Sequence, residues 1–154
     1  MGYVIKVGEA IPRIDENNVL SWEVESFVHE DCPIFFGDNS KANTRCPSYS
    51  VWGDFCEAMR LEDMFYLRAY DTTPKRAKGV IYLTEVDLEM VSNSLAEYRS
   101  KVKIPPGFEE EDYKQSPLTD CDSKYDGHLA RLIWLEWWMR WAIINCKMPA
   151  LSIF

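Results

Sequence analysis

The sequence predicts an α+β fold: a small antiparallel sheet near the N-terminus with about three helices packed on it, the last one central. Three observations carry this. Alternating apolar residues in the first third read as strands, apolar residues at three- and four-residue spacing follow, and a tryptophan-rich helix comes last. With 154 residues, 47% hydrophobic and 27% charged, the chain has the composition of a folded protein and enough length to bury a core. No repeat or linker divides it, so residues 1–154 read as a single domain. Residues 1–47 are its strand and loop region. Residues 48–154 are mostly helical, with an acidic loop at about 107–125.

Each element has a local reason. Tyr3–Val7 is short and β-branched, and Val19–Val28 alternates from Leu20 to Val24, so both read as strands. Ile11-Pro12-Arg13 and Asp15–Asn18 supply the turn between them. Residues 29–47, with Pro33, Gly37, Asn39, Asn43 and Pro47, read as loop around a short strand at Ile34–Phe36. A first helix runs from about Ser48 to Leu67, capped by Ser48 or Ser50, with Trp52, Phe55, Met59, Met64 and Phe65 near helical spacing. The basic turn Lys75–Gly79 leads into a short strand at Val80–Leu83.

The second helix starts at Thr84, whose hydroxyl caps it, with Asp87 in the capping-box position. Leu88, Val91, Leu95, Tyr98 and Val102 then mark the narrow seam of a helix laid along a neighbour, and Ile104-Pro105-Pro106-Gly107 ends it. The third helix runs from near Asp126 to about Lys147, stopped by Pro149.

Lysine and arginine number 17 against 25 aspartates and glutamates, a formal charge of −8. That balance excludes direct nucleic-acid binding over a broad surface. Arg131, Glu136 and Arg140 interrupt the apolar stretch Leu129–Cys146, so no membrane span is expected. Met1–Lys6 shows neither the charged stretch nor the long apolar run of a secretory signal, so none is expected. Five cysteines (Cys32, Cys46, Cys56, Cys121 and Cys146), with no CxxC pair, point to reduced thiols and a cytoplasmic location.

The last helix carries most of the information. At about 100° per residue, Trp134, Trp137, Trp138 and Trp141 share one face, and Leu132, Leu135, Met139, Ile143 and Cys146 fill the opposite one. Glu136, Arg140 and Lys147 form a stripe on one flank, with Arg131 on the other. A helix apolar on two faces must have both covered. Either the protein's own core covers both, or some tryptophans meet a partner, a second copy or a ligand. Glu136 and Arg140, four apart in the favourable order, can pair as a bridge between layers or as an anchor beside a pocket.

Catalytic patterns are missing from the sequence. No GxGxxG, Walker loop or GxSxG elbow occurs. His29, Cys32, Cys46 and Cys56 are zinc-capable, but steps of 14 and 10 residues do not make a compact zinc module. Asp120–Gly127 fails as a calcium loop, with Lys124 and Arg131 where oxygen ligands belong. No metal and no cofactor is therefore expected. His128 beside Asp126 offers a titratable group with no nucleophile placed near it.

Two functional readings follow. The first is an acidic macromolecule-binding protein of inhibitor, immunity or mobile-element adaptor type. Its partner is another protein, of the basic nucleic-acid-binding kind, or a second copy of the chain. The acidic loop Glu109-Glu110-Glu111-Asp112 and the tryptophan face are its docking elements. The alternative is a small-molecule-binding protein or small enzyme. Its aromatic pocket would lie beside the last helix, with Arg131 or Arg140 as anion clamp and Glu136 or His128 as titrating group.

Overall fold

The structure, a computed structural model, describes residues 2–33, 41–68, 79–101 and 127–154. The expected strand at 34–36, the acidic residues Glu109–Asp112 and the capping acid Asp126 lie outside the described residues. The elements are β1 (Ile5–Ile14), β2 (Leu20–Val24), β3 (Thr44–Arg45), α1 (Tyr49–Met59), a π-helical turn (Asp63–Arg68), β4 (Val80–Tyr82), α2 (Glu85–Lys101), α3 (Gly127–Asn145) and β5 (Pro149–Ile153). The α+β class, with an antiparallel sheet, helices and a tryptophan-rich C-terminal helix, is as the sequence predicts.

The sheet runs β2-β1-β5-β4, with β3 also on β1. β1 extends through Pro12 to Ile14, and the turn to β2 is correspondingly later and tighter than the sequence suggests. Asp15 closes that turn, its carboxylate accepting from the Asn17 and Val19 amides. Pro12 is tolerated for a geometric reason. Glu25 donates to Glu9 O and Asp15 donates to Val19 O, so odd-numbered β1 residues bond to β2 and the Pro12 nitrogen faces away from it.

Two expectations need correction. The first helix does not run from Ser48 to Leu67. Ser48 caps α1 by accepting from the Val51 amide, but α1 ends at Met59 because Arg60 takes a left-handed conformation, φ 57°. The Arg60 amide and then the Leu61 amide turn back to the carbonyls of the last turn. The redirected chain buries Leu61, Met64 and Phe65. The five-residue step from Met59 to Met64 already breaks helical spacing, and the cap sits inside it.

The second correction is β5. Pro149 ends the helical region, yet it also opens a strand that lies between β1 and β4, so the sheet joins both ends of the chain. Ala150, Leu151, Ser152 and Ile153 are all buried, which removes the alternation that would have marked a strand.

The α2 start agrees with the sequence. Thr84 N–H and Oγ1 donate to Asp87 Oδ2, and the Asp87 amide donates to Thr84 Oγ1, a capping box closed by aspartate. Val91 and Leu95 are buried from the seam, with Leu88 and Tyr98 packed against the core beside them. The main core gathers Ile5, Val7, Leu151 and Ile153 from the sheet with Trp52, Phe55 and Phe65, and with Leu132, Leu135, Trp134, Trp138 and Met139 of α3.

Candidate functional site

The tryptophan stripe of α3 faces the chain that links β2 to β3. Trp134 and Trp138 are buried in the core. Trp134 Nε1 donates to the Ala42 carbonyl at 3.3 Å, and Trp138 Nε1 donates to Cys32 Sγ at 3.0 Å. Arg45, also buried, places its guanidinium carbon 5.1 Å from the Trp134 ring centroid while Nη1 donates to the Ala42 and Thr44 carbonyls. The opposite face is covered as well, with Leu132, Leu135 and Met139 fully buried. Much of the two-faced apolarity is therefore core.

The stripe surfaces at one place. Trp137 and Trp141 are only partly buried. Against them lie Phe27, 43% exposed, and His29, and Val28 between these two in the chain is 63% exposed. The Phe27 and Trp141 ring centroids are 4.8 Å apart with planes tilted 31°, and the His29 ring is 5.2 Å from Trp137. His29 Nδ1 accepts from the Asp31 amide, which fixes the loop under the rings. Glu25, Glu30 and Asp31 are exposed around this patch.

Asn43 pins the loop that carries Phe27. Asn43 is fully buried; Nδ2 donates to the Val7 and Glu25 carbonyls at 2.9 and 2.8 Å, and Oδ1 accepts from the Phe27 amide at 2.8 Å. A Cβ on Gly8 would lie 3.1 Å from Nδ2, so a residue without a side chain makes room for it.

Glu136 and Arg140 come together, as the spacing predicts. Arg140 Nε and Nη2 both donate to Glu136 Oε1, and Ser92 Oγ of α2 donates to the same oxygen at 3.2 Å. The Glu136 side chain is 15% exposed and that of Arg140 54%, so the pair straddles the surface and ties α2 to α3. A shallow groove of about 420 Å³ runs beside it, lined by Leu88, Ser92, Ile143 and Ile144 among others. Arg131 is 4% exposed, too deep to clamp an anion arriving from solvent. His128 sits among rings, 6.1 Å from Phe55 and 6.2 Å from Tyr98.

The chain compared with family models, with curated proteins and with solved structures matches none of them. The site is therefore read from its own chemistry. Burial, aided by Glu62, pushes the Cys56 thiol up to about 12. Burial with Glu9 and Glu25 pushes Cys146 up to about 11. Both stay protonated near neutrality and lack the thiolate a nucleophile needs. Burial alone would raise the Asp87 carboxyl. The Arg68 guanidinium, the Thr84 amide and the Thr84 hydroxyl outweigh it and hold the group below the usual carboxylate range. Among the described residues no three histidine, cysteine or acidic side chains gather as a metal site. Among the same residues no helix is long and apolar enough to cross a membrane.

Sequence reasoning missed Phe27, Val28 and His29 as partners of the tryptophans. The signal was present: alternation fails after Val24, and Glu25-Ser26-Phe27-Val28 leaves two adjacent apolar residues that a one-sided strand does not explain. Nothing local marks Asn43 or Arg45, whose roles depend on residues 36 and 89 positions away in Val7 and Trp134.

Proposed function

We propose that this chain is an acidic macromolecule-binding protein of inhibitor or adaptor type, docking a basic protein partner on the patch formed by Phe27, Val28, His29, Trp137 and Trp141. The observation that carries this reading is the surfacing of the stripe. Two tryptophans of an otherwise buried row meet solvent beside two exposed apolar residues, inside a rim of Glu25, Glu30 and Asp31. Tryptophan anchors desolvated by a partner concentrate binding energy, and a carboxylate rim on a chain of net charge −8 steers basic partners toward it.

The test is native mass spectrometry of the protein purified gently from its own cells, followed by iodide quenching of the complex. Support is an added protein mass that leaves at about 1 M salt, where the Debye length falls to about 3 Å, with the quenchable tryptophans shielded in the complex. A partner retained equally by Phe27→Ser and Val28→Ser variants refutes the assignment.

The groove beside Ser92, Glu136 and Arg140 favours a second reading, small-molecule binding. A monomer carrying a stoichiometric small adduct, lost in Arg140→Ala, would select it.

A further inference from the structure

Resting on the docking surface proposed above, we infer that its aromatic patch is a seat for an arginine side chain of the basic partner. The stripe already receives one arginine. At its buried end the Arg45 guanidinium lies over Trp134, 5.1 Å from the ring centroid, anchored by the Ala42 and Thr44 carbonyls. At the exposed end Trp137 and Trp141 are partly exposed beside His29 and Phe27, with one face of the Trp141 ring stacked on Phe27. Among the described residues no lysine or arginine lies over these four rings.

The charges nearby have the sign a cation requires. Glu30 and Asp31 follow His29 in the chain and are exposed, and Asp31 Oδ2 is 3.9 Å from His29 Nδ1. Glu25 lies at the same end of α3, where its charge raises the Cys146 thiol. Lys41, the neighbouring cation, donates its ammonium to the Glu30 backbone carbonyl at 2.6 Å, and Glu30 is exposed. A guanidinium laid flat on Trp137 or Trp141 would keep its edge nitrogens free for those carboxylates. An ammonium has neither the plane to stack nor the fork to pair twice.

The full chain is titrated at low salt with nona-arginine and with nona-lysine, followed by tryptophan fluorescence and iodide shielding. The expected result is roughly tenfold tighter binding of nona-arginine, with shielded indoles. Trp141→Leu and the double variant Glu30→Gln/Asp31→Asn should each abolish the preference. Trp141 also packs on Phe27, so the double variant, which changes exposed carboxylates alone, decides the matter if Trp141→Leu loses its fold. Equal affinity for the two peptides, or an arginine preference surviving in the double variant, overturns the arginine seat and leaves the basic-partner reading standing. Failure of both peptides to bind at low salt overturns both readings.

Discussion

Asn43→Ala should be among the most damaging single substitutions outside the apolar core. The Asn43 side chain makes three hydrogen bonds of 2.8–2.9 Å to backbone groups of Val7, Glu25 and Phe27 and is fully buried. Val7 O points away from β5, because the Val4–Phe154 and Ala10–Met148 bonds place even-numbered β1 residues on that side. Truncation therefore strands two carbonyls and one amide. Each stranded group costs about 1–3 kcal/mol, moderated where water enters the space left behind, giving a loss of about 3–5 kcal/mol. A domain has only about 5–15 kcal/mol of net stability, so the variant should be close to unfolding at 37 °C. Urea unfolding followed by circular dichroism measures it, with an unchanged slope showing that the native state, not the denatured one, was altered. Asn43→Asp should be worse, since it sets a carboxylate against two carbonyl oxygens. A loss below about 1 kcal/mol for Asn43→Ala would refute the assignment of Asn43 as the clip between β1 and the Phe27 loop.

Other outcomes follow from the same structure. Glu136→Ala should cost about 1–2 kcal/mol in urea unfolding, between the values for exposed and buried pairs, because Arg140 is half in water while Ser92 Oγ loses its acceptor. Asp87 is held below its ordinary value, so its contribution to stability is complete above about pH 4–5 and disappears as the pH falls through the folded-state value. Asp87→Asn should therefore destabilise at neutral pH and flatten the acid limb of the stability profile; an unchanged limb would count against the Arg68–Asp87 bridge. At about pH 8 a disulfide reagent should label exposed Cys46 quickly in the native protein, while Cys56 and Cys146, pushed up to about 12 and about 11, react slowly. Labelling of Cys56 at the Cys46 rate would contradict its burial.

The legible parts were those decided within a few residues. The Ser48 cap, the Thr84–Asp87 box, the Val91–Leu95 seam and the Glu136–Arg140 pair are separated by three or four positions, and helical geometry converts such spacing directly into contact. The break at Arg60 was partly legible, in the failed spacing between Met59 and Met64. A left-handed residue without glycine gives no compositional warning, because it is held by the packing of Leu61, Met64 and Phe65 rather than by its own preference. β5 was hidden because a strand covered on both faces shows no period of two, and Pro149 reads first as a helix stop.

By itself the sequence determined the class, the charge, the caps that start α1 and α2, and the fact that the last helix has two faces needing cover. Hydrophobic periodicity and capping act locally, so they survive without knowledge of the fold. Only the tertiary structure decided which tryptophans are core and which reach solvent. That choice depends on where the chain after β2 is pinned, and the pin is Asn43, reaching to Val7 across 36 positions. Trp134 and Trp138 were sealed by Ala42, Arg45 and Cys32, while among the described residues Trp137 and Trp141 meet Phe27 and His29 and stay partly exposed. Exposure is a property of what lies opposite a residue, and no local pattern encodes a neighbour brought in from so far along the chain.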